Sequence, residues 1–400
     1  MTRQLLSGVL ALVATTSFAA EWSIEPSVNA RTSVTDNVNF TPGTREATRW
    51  VNVSPQAKFS RRTETTEVSG VGRLSFNRYP GRADLDANDS YFSGVAQFHE
   101  ERARWGLTGF FYRDSTLQSE LATTGLTQVR RQRSLSGLSP SWNYAVSERG
   151  SVFANFQYNM ADYEQGSGLK DYSDQQASLG YQYLLSETTA LSISAGGSRF
   201  ETKAGDVLTD TRRADAGLTH AFSERLSVGL SVGYRYSDTR LSSFLCPLVP
   251  AVLCDIYDIP FQEFVSRSRD QGLSLNATAD YGWERTLMGL RVSRNTNPSG
   301  SGLVVVTEQV GGSIRHDFSE KLSGSISGDW LHSRYVAGPG GQSNYHHIDA
   351  SAQRRIDDRW TLSGGLSHAW QDSTDTSNKT RGTTAYVNLA YEFSRHAISR

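Results

Sequence analysis

One pentapeptide of the chain has the spacing of a catalytic nucleophile. Residues Gly229 to Gly233 read Gly-Leu-Ser-Val-Gly and match the G-x-S-x-G pattern of hydrolases, in which the serine sits on a sharp strand-to-helix turn. Such a site needs backbone N–H groups that are free to bind an oxyanion. The pentapeptide, however, lies within Leu226 to Tyr236, where apolar and polar residues alternate strictly. A two-residue period predicts a β-strand, so the amide of Ser231 is expected in a hydrogen-bonded ladder and not in a hydrolase site.

Histidines offer a second possible chemistry, metal binding. Tyr345, His346 and His347 are consecutive, and neighbouring residues of a strand point to opposite faces, so the two imidazoles should diverge. We interpret this tripeptide as an interfacial tyrosine and histidine pair at a strand end. His220 and His368 share the parity of apolar residues, which predicts positions on the lipid side. We therefore expect no metal, no cofactor and no enzymatic activity.

The N-terminus predicts export from the cytoplasm. Met1-Thr2-Arg3 is followed by an apolar run from Leu5 to Ala14 and by Ser17-Phe18-Ala19, an order typical of a secretory signal peptide, here residues 1–19. The run has roughly 10 residues, whereas a membrane-spanning helix needs ~20. The mean hydropathy of −0.46 also argues against a helical membrane protein. With 40 basic and 41 acidic residues, the chain is not expected to bind nucleic acid.

Alternation like that of Leu226 to Tyr236 recurs throughout the mature chain, residues 20–400. It begins at Trp22 to Val34 and ends at Ala385 to Phe393. The segments amount to about eighteen strands, an even number within the range of outer-membrane barrels. Short connections such as Ser223-Glu224-Arg225 alternate with long polar ones such as Tyr163 to Tyr172.

We therefore predict an all-β fold, a transmembrane antiparallel up-and-down β-barrel. Its short turns and both termini would be periplasmic, and its long loops would lie outside the outer membrane of a Gram-negative bacterium. A soluble β-sandwich or propeller also consists of short alternating strands. The length of the uninterrupted domain argues against a sandwich, and the absence of a four-strand repeat argues against a propeller.

Residues of the opposite parity are predicted to line the lumen. The selected candidates are Arg31, Arg73, Asp215, Arg235, Asp280, Arg291, Arg315, Asp329, Asp349, Arg355 and Tyr386. Opposed charges on such a wall would produce a transverse field across a water-filled channel. Alternatively, paired charges only solvate the lumen and stiffen the barrel. Gly229 and Gly233 are expected either to leave room on the inner wall or to accommodate strand curvature.

One long segment stands out as a candidate constriction. Cys246 and Cys254 are the two cysteines of the chain, and in an oxidising compartment they predict a local disulfide. They lie in the segment from Ser237 to Asp270, which is rich in apolar residues. We interpret this segment as a loop that either constricts the lumen or docks a partner.

The opening hairpin carries a family resemblance. Pro26-Ser-Val-Asn-Ala-Arg-Thr-Ser-Val-Thr-Asp-Asn-Val-Asn-Phe40, followed by Trp50-Val-Asn-Val-Ser-Pro55, resembles a family of outer-membrane barrels that accompany exopolysaccharide and PEP-CTERM/exosortase loci in Gram-negative bacteria. Beyond this hairpin the likeness is one of architecture. The resemblance implies a porin-like barrel that exports a polysaccharide together with a periplasmic polysaccharide-export protein. The end of the chain, with Leu389, Tyr391 and Phe393, is similar to the terminal strand recognised by the barrel-assembly machinery, except that Ser394 to Arg400 follow it.

These observations lead us to expect a passive outer-membrane conduit. Export of an exopolysaccharide is the first hypothesis, a general diffusion porin for small solutes is the alternative, and a barrel enzyme acting on lipid or polysaccharide is a third. The expected partners are outer-membrane lipid and lipopolysaccharide, the polysaccharide or small solute, and the periplasmic export protein.

Overall fold

The computed structural model describes residues 21–43, 45–126, 130–245, 262–337, 341–374 and 379–399. Within these ranges the chain forms nineteen β-strands, one α-helix and a 3₁₀ turn at Ala83–Leu85. The strands are β1 Glu21–Thr35, β2 Thr48–Arg62, β3 Thr66–Arg78, β4 Ala87–His99, β5 Ala103–Ser115, β6 Gln132–Ala145, β7 Gly150–Tyr163, β8 Tyr172–Ser186, β9 Thr189–Thr202, β10 Val207–Ser223, β11 Leu226–Leu245, β12 Gln262–Trp283, β13 Thr286–Pro298, β14 Val304–Asp317, β15 Leu322–Tyr335, β16 Gln342–Arg355, β17 Trp360–Ser373, β18 Lys379–Glu392 and β19 His396–Ser399, and the helix α1 is Thr116–Thr124. In this described part, no helix combines the length and the apolar character needed to cross a membrane.

Eighteen of the strands close into an antiparallel barrel. Strands β2 to β17 each pair with both neighbours in sequence, and β1 pairs with β2 on one side and β18 on the other. This confirms the predicted all-β, up-and-down architecture with eighteen strands. The short β19 pairs only with Glu21–Ile24 of β1, so it continues the line of β18. Arg395, just before β19, adds ion pairs to Glu21 (3.0 Å) and Glu25 (3.5 Å), and the tail after Phe393 thereby becomes part of the wall.

The outer surface of the barrel is an apolar band. Ile193, Leu290 and Ile326 are 63%, 51% and 60% exposed, and many other large apolar side chains share their parity. A continuous apolar surface of this extent would be unfavourable in water. Because the closed barrel pairs its backbone groups between strands, the band satisfies the requirements of a hydrocarbon environment.

The two ends of the barrel differ in their connections. At one end, here named the turn end, the connections are residues 63–65, 100–102, 146–149, 187–188, 224–225, 284–285, 318–321 and 356–359. Ser223 illustrates their chemistry, since its hydroxyl accepts the N–H groups of Arg225 and Leu226, both at 3.2 Å. The other end, the loop end, carries the remaining connections, most of which are longer. Two of them, 203–206 and 299–303, are short because their strands stay paired almost to the turn.

The segment from Ser237 to Asp270 differs from the sequence prediction. Instead of a loop, its two arms continue β11 and β12, which pair in register from Ser237 and Asp270 to Leu245 and Gln262. The predicted loop boundaries are wrong because polar pairs carry the ladder beyond the apolar band. Cross-strand ion pairs join Asp238 to Arg269 (3.8 Å) and Arg240 to Glu263 (3.5 Å). Cys246, Cys254 and their predicted disulfide lie outside the described residues.

Candidate functional site

A short helix enters the lumen directly after β5. The hydroxyl of Ser115 caps α1 by accepting the N–H of Leu117 at 3.3 Å, and Gly125 ends the helix in the left-handed conformation, with φ of 64°. Serine is a preferred residue at a helix N-cap, and glycine is preferred directly after the last turn. The Ser119 hydroxyl also donates to Asp114 of β5 at 2.8 Å. The connection between β5 and β6 therefore begins inside the barrel.

The far end of α1 is bound to the opposite wall. The last carbonyl groups of a helix lack partners within the helix, and here strands β15, β16 and β17 supply them. Ser333 donates to the carbonyl of Thr124, while Ser343 and Gln371 donate to the carbonyl of Gly125, both at 2.7 Å. An apolar cluster covers the same region, formed by Phe40, Leu121, Leu331 and Tyr345. Helix α1 therefore spans the lumen from β5 to β15–β17.

The upper part of the β13–β14 hairpin also lies in the lumen. Its pairing with β12 stops at Leu275 and Arg294, although both strands continue. Beyond that point Val304 and Val306 of β14 pack against inward-facing side chains of four distant strands, β7 to β10. This cluster contains Ala161, Tyr163, Tyr172, Phe200 and Val207. Because three strands separate β10 from β14 in the barrel wall, the hairpin reaches this cluster only by bending inward.

Glu120 joins these two inward segments. Its side chain is 1% exposed, and its carboxylate accepts hydrogen bonds from the Tyr163 hydroxyl (3.0 Å), the Ser299 hydroxyl (3.2 Å) and the Gly300 N–H (2.5 Å). A buried carboxylate is tolerated only when such donors replace water. Glu120 was not predicted as a functional residue. The one local sign of its role is a short stretch of helix-forming residues around Leu121, within a segment expected to be a loop.

A cavity of about 540 Å³ lies between the inward segments and the wall. Strands β5 to β12 form most of its lining, and α1 and β13 complete it. Charged side chains in the lining are Glu120, Asp174, Arg133, Arg213 and Arg235, and amide side chains are Gln157, Asn159, Gln176, Asn276, Asn295 and Asn297. Arg235, an expected lumen residue, is 2% exposed and donates to Asp270 at 2.6 Å.

Other predicted lumen residues form cation–π contacts on strands outside the cavity lining. The Arg31 guanidinium lies 3.8 Å from the ring centroid of Tyr386, and that of Arg73 lies 4.2 Å from the ring centroid of Tyr91. Such contacts orient the guanidinium group along an aromatic face. Of the predicted set, Arg31 and Tyr386 are thus in direct contact. Tyr91, which the sequence analysis did not select, also donates to Gln118 of α1 at 3.4 Å.

The remaining predicted residues are distributed around the wall. Asp215 accepts a hydrogen bond from Ser274 (2.7 Å), Asp329 accepts one from Gln309 (3.1 Å), Arg315 donates to Asp317 (3.4 Å), and Arg355 donates to the carbonyl of Glu320 (3.1 Å). Asp280, Arg291 and Asp349 lie opposite the small residues Gly289, Gly311 and Ser327 of neighbouring strands. The structure does not gather the set into one site, and a role of these residues in transport stays a prediction.

The candidate catalytic serine and the candidate metal-binding histidines lie within paired strands of the barrel wall. Ser231 lies in mid-strand, opposite Gly217 of β10 and Asn276 of β12. His346 stacks on Trp370 at 4.6 Å between ring centroids. Tyr345 is buried beside α1, so its predicted interfacial position is wrong: inward parity places it against the helix. Among the residues that the structure describes, no group of three or more His, Cys, Asp or Glu side chains could hold a metal ion.

Comparison with solved structures finds outer-membrane proteins of similar architecture. The outer-membrane protein OpdK from Pseudomonas aeruginosa aligns with a TM-score of 0.45 and 12% identity, over 92% of this chain and 99% of that one. OccAB3 from Acinetobacter baumannii gives 0.45 and 11% over 93% and 99%. The ferric yersiniabactin uptake receptor FyuA from Yersinia pestis gives 0.43 and 9% over 92% and 80%. No family model and no curated protein matches the chain. At these TM-scores and identities we draw no functional conclusion from the likeness.

Proposed function

We propose that the chain is an outer-membrane channel for small polar solutes. The observation that carries this proposal is the combination of an apolar outer band with a polar lumen that α1 and the β13–β14 hairpin narrow. A closed barrel of roughly eighteen strands would otherwise leave a wide aqueous passage. Loops folded into such a lumen restrict it to solutes of limited size.

The turn end and both termini would face the periplasm, and the loop end would face the outside. Tight turns on the periplasmic side and longer connections outside are the rule for bacterial outer-membrane barrels. With this orientation, a solute would meet the two inward segments before it reached the lower lumen.

Export of an exopolysaccharide ranks second. It rests on the resemblance of the opening hairpin, and the periplasmic export protein that the resemblance implies stays a prediction. A polymer chain would need both inward segments to leave the lumen, which would break the hydrogen bonds of Glu120 to Ser299 and Gly300. The geometry therefore supports passage of small solutes better.

Conductance in planar lipid bilayers tests the main proposal. The wild-type protein should give small, discrete current steps, and a variant with residues 117–124 replaced by a short Gly-Ser linker should give steps several-fold larger. Silence of both proteins would contradict channel activity. Equal steps would show that α1 does not narrow the passage.

Gene deletion separates uptake from export in the cell. Slower small-solute uptake with normal surface polysaccharide is the expected result. Loss of surface polysaccharide with unchanged uptake would reverse the ranking of the two functions.

A further inference from the structure

We propose that the cavity between the inward segments and strands β5 to β12 is a binding site for an uncharged, polyhydroxylated solute of monosaccharide or disaccharide size. This inference rests on the proposed channel function and names the solute class that the passage would favour. The cavity volume of about 540 Å³ falls within the range of small-molecule sites.

Four of the five charged side chains of the lining are buried. Glu120 and Asp174 are 1% and 3% exposed, and Arg133 and Arg235 are 6% and 2% exposed. Glu120 binds Tyr163 and both hairpin donors, and Asp174 accepts from Gln176 at 2.9 Å. Arg235 donates to Asp270 at 2.6 Å and Arg133 lies 3.8 Å from Asp114, while the Nε atom of each arginine is buried without a hydrogen-bond partner. A charged solute would have to replace such desolvated contacts, which is unfavourable.

Arg213 is the accessible charge among the described lining residues. Its side chain is 46% exposed, and its Nε lies 3.8 Å from the Asp215 carboxylate. An anion reaching Arg213 would therefore also approach a carboxylate. This arrangement gives a carboxylated or phosphorylated solute no clear electrostatic advantage over a neutral one.

The accessible polar groups are instead amides, arranged in pairs on two sides of the cavity. Asn276 and Asn295 bond each other through both amide groups, at 2.9 and 3.5 Å, and Gln157 donates to Asn159 at 3.2 Å. Each side-chain amide has two donors and two acceptor sites, so each pair retains unused donors and acceptors. Hydroxyl groups, which both donate and accept, match this pattern better than ions do.

Two aromatic side chains, Phe110 and Tyr172, also line the cavity, and Phe110 is the more exposed of the two. Phe110 lines the cavity and stacks on Tyr112, with ring centroids 4.9 Å apart and planes inclined by 20°. The half-buried phenyl group offers an apolar face to the C–H side of a sugar ring, while the amides would bind its hydroxyl groups.

Calorimetric titration of the purified full-length protein tests the inference with three probes of similar size. Glucose should bind saturably, and gluconate and glucosamine, which carry opposite charges, should each bind at least about tenfold more weakly. Tighter binding of gluconate or glucosamine would overturn the inference, because the site would then select charge.

A paired variant locates the binding. Asn276→Leu combined with Asn295→Leu removes both partners of one amide pair at nearly constant shape, which limits the cost to folding, and should reduce glucose affinity about tenfold or more. Asn388→Leu, on β18 and outside the cavity lining, should leave it unchanged. If the double variant does not fold, the comparison of the three probes on the wild-type protein still tests whether the site selects an uncharged solute.

The outcomes separate this inference from the channel proposal. Conductance without glucose binding would refute the saccharide site and retain the channel. Glucose binding without conductance would refute the channel and retain the site.

Discussion

At the scale of single residues, one glycine makes room for a charge on the inner wall. A Cβ atom at Gly233 would approach the backbone oxygen of Ala214 to 2.5 Å and the Ser274 hydroxyl to 2.6 Å, and would also collide with the Asp215 carboxylate. The expectation that Gly233 leaves space on this wall is thereby confirmed. The backbone oxygen of Ala214 is fixed by strand pairing, so it cannot move away from an added Cβ atom as a flexible side chain could.

Gly233→Ala should therefore lower the free energy of unfolding by about 1–3 kcal/mol, the usual cost of overpacking. Urea titration of the protein folded into lipid vesicles would measure it. Gly272→Ala is the matched control, because its nearest neighbour would be the Arg235 guanidinium at 3.5 Å, an ordinary contact. Equal losses in both variants would contradict the role assigned to crowding.

Asp357 stabilises a turn through its charge. Its carboxylate accepts the N–H groups of Arg359 and Trp360, both at 2.8 Å, and these hydrogen bonds hold the pKa of Asp357 below its ordinary value. Because the folded-state pKa is the lower one, the carboxylate stabilises the fold above the unfolded-state pKa of about 4. The contribution disappears as the pH falls through the folded-state pKa.

Asp357→Ala should accordingly lower the thermal midpoint at neutral pH, and the difference from wild type should shrink as the solution is acidified below about pH 4. Circular dichroism of the protein in detergent would follow the transition. Asp358→Ala, at the neighbouring turn position, should show a smaller change at neutral pH. A difference for Asp357→Ala that persists in acid would argue against a charge effect.

At the scale of elements, β11–β12 and α1 differ from the sequence prediction. As far as Leu245 and from Gln262 onward, the long hairpin consists of paired strands, whereas the segment after β5 crosses the lumen. Polar alternation is locally compatible with either a strand or a loop. Cross-strand ion pairs decide in favour of the strand here.

Because α1 crosses the lumen, shortening this hairpin should raise conductance less than replacing α1 does. Leu241 and Ser266 are Cα partners, so an Asn-Gly turn can join them with the geometry of a two-residue hairpin. Single-channel recording would compare this variant with the α1 replacement. An increase as large as that of the α1 variant would restore the segment from Ser237 to Asp270 as the constriction.

At the scale of the whole molecule, the barrel separates two solvents. Leu290 lies in the outer band, 51% exposed, while Ser313 on the adjacent strand faces the lumen. The same substitution should thus have different effects at the two positions. A charge facing lipid loses its hydration, and a charge facing the lumen keeps it.

Leu290→Arg should destabilise the folded barrel by about 2–4 kcal/mol if the position is near the bilayer midplane, and by less closer to the interface. Ser313→Arg should cost far less. Reversible unfolding from vesicles of a single lipid would measure both. A larger loss for Ser313→Arg would reverse the assignment of inner and outer faces.

The sequence alone determined the barrel wall. Strand number, antiparallel order, the inward or outward direction of residues such as Ser231, and the positions of the tight turns all follow from a two-residue period, which is a local property. The alternation ends at Phe393 and therefore does not predict β19, which is held mainly by its pairing with β1.

Only the tertiary structure decided what fills the lumen. Glu120 and Ser299 are 179 positions apart, and Ser343 and Gly125 are 218 apart, so no periodicity along the chain relates them. These contacts depend on which strands the closed barrel places opposite each other. They also depend on where the β13–β14 hairpin separates from β12. A local pattern specifies a wall, but the partners of α1 and of the β13–β14 hairpin are defined only after the wall has closed around them.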